Sequence, residues 1–559
     1  MQYTLHIYKT DYSNYSLVSE SSNIDLTDPS LITGLFHLDR VTYSNGIVEL
    51  IERNLPKSIS GELELFSKYS FKPNKRGIPT YIFRPIDKSY PKFLVSSTLK
   101  KQNKSNLFVT VEYQNWPKES LFPKANIVSI LGSIYDKNPL QESLLYKYEL
   151  DNKNLKLDFK GINSKFEKLI LENKKNTIDR HIISIDPPGC TDIDDAFSIQ
   201  LSENILNLQI YISDVYYLLK NIDLVDRIEN VSSVYLTESI KHMLPKIISS
   251  GLGSLIENNY RFMLTLDIKY NVSTKCIENI IFQETFGKIT KNHSYDDYPR
   301  YIDKYFRYIS NIYKTITKQH IEIEDSHKFI EALMIIYNTY FAQTILDKSS
   351  IKVYRSQLHK DISISFMDNL DDKLKGFLKL VSMNSAEYTL TKNIHSSLNI
   401  DSYTHVTSPL RRIVDLINQE IYYTGNSKIL DRITLPKINI VNKKLKKYYR
   451  DINKLSLAYD VYNSSSYVTS CYIYSFNSAK NNSYMYFPLE NISIKVNLIH
   501  YKLFSVYNVS FIDNMIIIES NIENTIRKIP INKLIKVKIN GKPDVYNIDK
   551  SITVEILNY

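Results

Sequence analysis

The chain has 559 residues, 43% hydrophobic and 23% charged, with a formal net charge of +10 from 70 basic and 60 acidic side chains. This length allows three or four domains, and the composition fits a soluble, globular protein. No run of eighteen apolar residues and no apolar signal core at the N-terminus are present, so neither a membrane span nor a secretory leader is expected.

The three cysteines, Cys190, Cys276 and Cys471, are far apart and show no CxxC spacing. Neither a disulfide framework nor a zinc site is expected, and a reducing compartment, the cytoplasm, is the simplest location. The charge excess permits a polyanionic partner without requiring one. The chain is rich in Tyr, Asn, Lys and Ile, with 44 tyrosines against 13 glycines. This bias fits an AT-rich genome, which suggests a viral or parasitic source, with a viral factory as a second location.

The first 160 residues read as short strands broken by turns. SGELELFSKY (60–69) and NLFVTVEY (106–113) alternate apolar and polar positions. KPNKRGIP (72–79) is a basic, turn-rich segment that suggests a boundary between two small OB-type barrels, 1–75 and 76–160. Residues 161–460 mix strands and long helices. There, AFSIQL and NILNLQIYI are predicted to form a hairpin through Ser202-Glu203-Asn204. SHKFIEALMIIYNTYFAQTIL (326–346) has a helical pattern, with Ser326 as N-cap and Phe329, Leu333, Ile336 and Tyr340 on one face. From 461 to 559 the alternation returns, as in ISIKVNLIHYKLFSVYNV (492–509), which predicts a C-terminal barrel.

Chemistry concentrates in SIDPPGCTDIDDAFSI (184–199), where Asp186, Asp192, Asp194 and Asp195 fall between two apolar runs. At 4 Å, two like charges repel by roughly 4 kcal/mol even at an effective dielectric of 20. A divalent cation relieves that repulsion. All-carboxylate ligation favours Mg²⁺ or Mn²⁺ over zinc, and two such ions can clamp a phosphodiester. A solvated acidic loop or a calcium site is the alternative on spacing alone, although the EF-hand pattern does not fit. In YTHVTSPLRRIVDLINQEIYYTG (403–425), Ser408-Pro409 reads as a helix start, with Arg411 and Arg412 in the first turn. Arginines at a helix N-terminus are unfavourable unless an anion binds there. The alternative is that Arg411 pairs with an acidic residue from elsewhere.

IDPPGCTDIDDA and YTHVTSPLRRIVDL resemble the two signatures of the RNB catalytic domain of the RNase II/RNase R superfamily. SSVYLTESIKHMLP (232–245), GSLIENNYR (253–261) and DSHKFIEALMIIYN (325–338) are similar to three further segments of that domain, in the same order. Trp116-Pro117 and Leu131-Gly132 resemble the second cold-shock barrel of RNase R-type members. The resemblance implies an α+β chain with a mixed α/β catalytic domain (161–460) flanked by cold-shock-like barrels (1–75 and 76–160) and an OB-like barrel (461–559).

The implied activity is 3′→5′ hydrolysis of single-stranded RNA to nucleoside 5′-monophosphates, with Mg²⁺ (or Mn²⁺) held by Asp186, Asp192, Asp194 and Asp195. Arg411 would contact the scissile phosphate, Tyr235 would clamp the 3′ bases, Tyr295 would sit near the 3′ end, and Glu331 would sense the ribose hydroxyl. The family's second clamping aromatic has no counterpart that the sequence identifies. His405 is expected to support or pack rather than ligate. Ile413, Gln419 and Gly253 depart from the family's usual tyrosine, histidine and cysteine, but none removes a metal ligand. A catalytically inactive RNA-binding regulator on the same scaffold and a DNA nuclease are the rival readings. Protein partners are not indicated.

Overall fold

The chain opens with the strands β1 (Gln2–Ile7), β2 (Tyr15–Val18), β3 (Asn23–Leu26), β4 (Arg40–Ser44) and β5 (Ile47–Glu52) in an antiparallel sheet of order β3-β2-β1-β4-β5. The period-two side-chain pattern buries Leu5, Ile7, Tyr15 and Leu17 on one face. This computed structural model describes all residues except 1, 9–12, 21, 69–70, 118, 359–369, 465–466, 478–481, 498–506, 513–514, 521–525 and 558–559.

A closed barrel follows, made of β6 (Ile59–Leu63), β7 (Thr80–Pro85), β8 (Phe93–Ser96), β9 (Leu107–Asn115) and β10 (Lys124–Ser133). A short parallel pairing of β10 with β8 completes it. The expected boundary at 75/76 is therefore corrected to the interval 53–58: Ile59–Leu63 pairs with both β7 and β9, so this strand belongs to the second unit. Trp116 lies 5.5 Å from Phe36 and joins the first sheet to the barrel.

The helices α1 (Lys137–Lys147) and α2 (Phe159–Asn173) lead into a second closed barrel of β11 (Thr177–Asp186), β12 (Asp195–Ser202), β13 (Ile205–Ser213), β16 (Tyr260–Asn271) and β17 (Cys276–Ser294). The predicted hairpin is present: Ser202 faces Ile205 across a two-residue turn in which Glu203 takes φ +53°. Between β13 and β16 lie α3 (Val215–Asn221) and the small hairpin of β14 (Val234–Tyr235) and β15 (Ile240–Lys241). A parallel pairing of β11 with β17, from Thr177 with Phe286 to Asp186 with Ser294, closes this barrel.

Helices α4 (Phe306–Thr317) and α5 (Ser326–Tyr340) cover it, and Phe197 of β12 meets Phe329 of α5 at 5.2 Å. Phe329, Leu333 and Ile336 are fully buried, as their spacing predicts. The cap is Asp325 rather than Ser326. Asp325 is extended and its carboxylate accepts the Lys328 N–H at 2.8 Å, which puts buried Ser326 inside the first turn.

The remaining elements of this region are the ladder of β18 (Tyr354–Ser356) with β19 (Glu387–Thr389), then α6 (Asp372–Ser382), α7 (Ile413–Thr424), α8 (Lys428–Arg432) and α9 (Leu435–Ser464). Helix α9 runs past the expected boundary at 460. The C-terminal unit contains β20 (Tyr467–Asn477), β21 (Asn482–Phe487), β22 (Ile492–Asn497), β23 (Tyr507–Ile512), β24 (Met515–Ser520), β25 (Ile526–Pro530), β26 (Leu534–Gly541) and β27 (Ile552–Ile556). They form one sheet of order β22-β21-β20-β26-β27 and another of order β23-β24-β25. Part of the predicted 492–509 strand run lies outside the described residues. Among the described residues no helix is long and apolar enough to cross a membrane.

Candidate active site

Asp186 is the last residue of β11 and Asp195 the first of β12, so both stand at one end of the central barrel. The loop between them is fastened to Ser254 and Leu255. Ser254 Oγ accepts the Ile193 N–H at 2.9 Å and donates to the Thr191 carbonyl at 2.9 Å, while Leu255 N–H reaches the Ile193 carbonyl at 2.9 Å. Ile193 is buried beside Leu255 and Met263. Its neighbours Asp192 and Asp194, only 5% and 3% exposed, line a cleft of about 620 Å³.

Each of those two carboxylates already has protein donors. Asp194 Oδ1 accepts the Leu410 N–H at 2.8 Å, and Oδ2 accepts from Arg411 Nε at 3.2 Å. Asp192 Oδ2 accepts from the Tyr235 hydroxyl at 2.5 Å. Asp186 differs, because its Oδ2 is buried without a hydrogen-bond partner. Burial raises the pKa of Asp186 to about 6, against the Ser184 hydrogen bond, and Asp192 adds to the rise. Burial raises Asp194 to about 7 against the pull of Arg411 and the Leu410 N–H. Asp195 is driven well above the usual carboxylate range, first by burial and then by Asp186 and Asp194. Burial thus favours the protonated forms of Asp186, Asp194 and Asp195, and a bound cation would reverse that preference. Among the described residues no three His, Cys, Asp or Glu side chains are already gathered as a metal cage.

The arginine segment differs from its sequence-based reading. Helix α7 begins at Ile413, and Ser408 to Arg411 form a turn ahead of it. The local helix-start signal is overridden by distant backbone pairing: Ser233 N–H donates to the Arg411 carbonyl at 3.0 Å, and Ile413 N–H donates to the Val231 carbonyl at 2.9 Å. The anion at the helix N-terminus is internal. Asp415 accepts the Ser408 N–H at 2.7 Å and Arg412 Nη2 at 2.8 Å. Arg411 is the freer of the two. Its side chain remains 43% exposed while bonded to Asp194 and to Ser408 Oγ at 2.9 Å.

Tyr235 stands on the small β14–β15 hairpin, is 37% exposed, and donates its N–H to the Tyr449 hydroxyl at 2.9 Å. Tyr295 stacks on His327 with ring centroids 3.7 Å apart, and its N–H binds the Asp186 carbonyl at 3.1 Å. Glu331, one turn along α5 from His327, is ion-paired to Lys328 at 2.6 Å. Every residue singled out in the sequence, from Asp186, Asp192, Asp194 and Asp195 to Tyr235, Tyr295, Glu331 and Arg411, lines this one cleft. His327, Tyr403 and Asn338 line it too and were missed. Only the SH pair of the 325–338 segment hinted at His327. No phenylalanine is among the described residues lining the cleft.

The departures have structural reasons. A Cβ on Gly253 would lie 2.8 Å from Leu410 Cδ2 and 3.0 Å from the Ile248 carbonyl, so the glycine admits the leucine whose N–H holds Asp194. Gln419 donates to the Ser213 carbonyl at 2.7 Å and accepts the Tyr216 N–H at 3.0 Å, tying α7 to the barrel. Ile413 is buried in the core. His405 is bonded through Nδ1 to the Tyr388 hydroxyl at 2.8 Å. Burial, then Arg412 and Arg355, drive its pKa well below the usual histidine range.

The sequence matches the RNB domain over residues 174–320 and 303–426, and the Dis3-like cold-shock domain 2 over 80–149. The exosome complex exonuclease RRP44 of Mus musculus is 25% identical over 451 residues, covering 66% of this chain and 46% of the relative. Ribonuclease R of Ureaplasma parvum is 24% identical over 423 residues, 59% of this chain and 58% of the relative. The chain spans about half the length of the curated relatives it matches. In fold it is similar to Mycoplasma genitalium RNase R in complex with ribose methylated single-stranded RNA, with TM-score 0.71, 15% identity and full coverage of both chains. It is also similar to yeast Ssd1, a pseudonuclease, with TM-score 0.64, 14% identity and coverage of 100% and 97%. With both signatures on one cleft and the RNB domain matched across the central barrel, the chain belongs to the RNase II/RNase R superfamily of RNB-domain proteins.

Proposed function

We propose that this chain is a magnesium-dependent exoribonuclease that hydrolyses single-stranded RNA from the 3′ end and releases nucleoside 5′-monophosphates. The observation that carries this reading is the meeting of four aspartates and a half-exposed arginine in one cleft. The donor set suits Mg²⁺ or Mn²⁺: all ligands are carboxylates, and one buried oxygen of Asp186 has no partner. Asp186, Asp192, Asp194 and Asp195 would hold the metal, which when bound supplies Lewis-acid charge for phosphodiester hydrolysis.

The chain's own groups do the rest. Asp194 and Ser408 orient the Arg411 guanidinium from one side, leaving its open side for the scissile phosphate, where charge develops in the transition state. Tyr235 offers a stacking face at the cleft edge, and such stacking is worth roughly 1–3 kcal/mol per base without regard to base identity. The Tyr295–His327 pair forms a second aromatic surface beside Asp186. Glu331 is an acceptor within the same cleft, suited to the ribose 2′-hydroxyl that separates RNA from DNA.

A second reading, a catalytically silent RNA-binding protein, draws on the saturation of Asp192 and Asp194 by Tyr235, Leu410 and Arg411. Matched RNA and DNA oligomers, with free or blocked 3′ ends, incubated with Mg²⁺ or EDTA, separate the readings. The nuclease reading expects a ladder from unblocked RNA in Mg²⁺ alone. Tight RNA binding without any ladder would leave the silent scaffold.

A further inference from the structure

Beside the catalytic cleft lies a second hollow of about 470 Å³ that the mechanism above does not use. His405 lines both spaces and forms the partition between them. The hollow is bounded by β18, the end of α6 with the 383–386 segment after it, and α9. Two cations reach it, Arg355 from β18 and Lys446 from α9.

Neither cation has an ion-pair partner among the described residues. The Arg355 guanidinium lies 4.5 Å from the centre of the Tyr388 ring, and its Nη1 is buried without a hydrogen-bond partner. Lys446 Nζ donates to the neutral Ser385 hydroxyl at 2.5 Å. No carboxylate is among the described lining residues, and nearby Glu387 is taken by Lys443 at 2.7 Å. Burial and then Arg355 lower the pKa of Lys446, against the pull of Glu387. His395 is pushed down to about 4 by burial and by Arg355, so it stays neutral and adds hydrogen-bonding capacity without charge. Gln357 and Asn384 complete a polar wall.

An arginine with a buried, unused N–H beside an unpaired lysine is a receptor for an anion. The hollow is far larger than one ion needs and falls within the range of small-molecule sites. We propose that it binds a nucleotide through its phosphate, with Arg355 and Lys446 as the phosphate contacts and His405 as the wall shared with the active site. The proposal rests on the nuclease reading in one respect: nucleotides are what the catalytic cleft would release. The phosphate can come from a released mononucleotide or from the threaded strand.

The test is calorimetric titration of the full chain in EDTA with AMP, inorganic phosphate and adenosine. AMP and phosphate should bind, and adenosine should bind about tenfold more weakly or not at all. K446Q, on the exposed face of α9, and R355Q should each weaken AMP binding about tenfold, while R411Q leaves it within about twofold. Equal AMP affinity in K446Q, R355Q and the parent chain overturns the proposal, as does a loss confined to R411Q. Preloading a short RNA oligomer distinguishes the two sources. Unchanged AMP affinity assigns the site to a released nucleotide, and competition assigns it to the strand. No hydrolysis is read in these titrations, so a silent active site leaves them interpretable. Failed titrations would leave the RNA ladder untouched.

Discussion

The chain contains two closed five-stranded barrels, and both are sealed by a parallel pair, β10 with β8 in the first and β11 with β17 in the second. Closure satisfies the strand edges in both. What differs is the mouth. In the first barrel, β6 and β7 approach so closely that a Cβ on Gly61 would lie 2.2 Å from the Arg84 carbonyl, and the apolar interior is sealed by Phe83 and Phe93. In the second, the ends of β11 and β12 and the loop between them carry aspartates, and the 408–412 turn brings Arg411 against Asp194. The same architecture serves as a packed module in one case and as a frame for concentrated charge in the other. Function resides in what stands at the barrel end rather than in the barrel.

The comparison breaks most sharply at Asp194. Asp194→Asn should lower single-turnover RNA degradation in Mg²⁺ by about 10³-fold or more, while RNA affinity stays within a few-fold. Unimpaired hydrolysis in that variant would remove the quartet from the chemistry. The adjacent arginines should separate next. Arg412→Gln strands the fully buried Asp415 and should cost about 3–5 kcal/mol in chemical unfolding. Arg411→Gln, at a half-exposed site, should abolish activity with little loss of stability.

Two glycines sharpen the contrast between the barrels. Gly61→Ala and Gly253→Ala both force close contacts and should each destabilise by about 1–3 kcal/mol. Only Gly253→Ala should also reduce the rate per folded molecule, because it displaces Leu410 and with it the Asp194 hydrogen bond.

Proton linkage gives a smaller effect. Asp186 and Asp194 keep their protons up to about 6 and about 7 in the metal-free fold, whereas the unfolded chain releases them near about 4. The folded state then binds more protons between those values, so the melting temperature should fall as pH rises from about 4 to about 7. Mg²⁺ should restore more stability at pH 8 than at pH 5.5, read by thermal unfolding with about millimolar metal. A flat metal-free profile would show that these carboxylates titrate normally. The smallest effect is expected at Tyr235. Tyr235→Ala should change the length of the last undigested fragment rather than the rate, and an unchanged end product would exclude it from the clamp.

Legibility varied with the range of the forces involved. The β12–β13 hairpin, the buried face of α5 and the acidic loop between β11 and β12 follow from alternation, helical spacing and composition, all local properties. The 408–412 turn did not follow. Its Ser-Pro start signal is local, but the pairing that defeats it joins residues 231–233 to 411–413. The boundary after the first sheet was misplaced for a related reason. The turn-rich stretch 72–79 lies inside the second barrel, and only the partners of β6 reveal that.

The sequence supplied the chemical inventory: four acids in one loop and arginines in a second segment by residue order, and two tyrosines and a glutamate through the family resemblance. Tertiary structure alone decided the pairings: Asp194 with Arg411, Asp192 with Tyr235, Asp415 with Arg412, and Asp186 left with an unpartnered oxygen. The physical reason is separation. Asp194 and Arg411 are 217 positions apart, and a side-chain contact over that distance depends on how whole elements pack, which no local periodicity encodes.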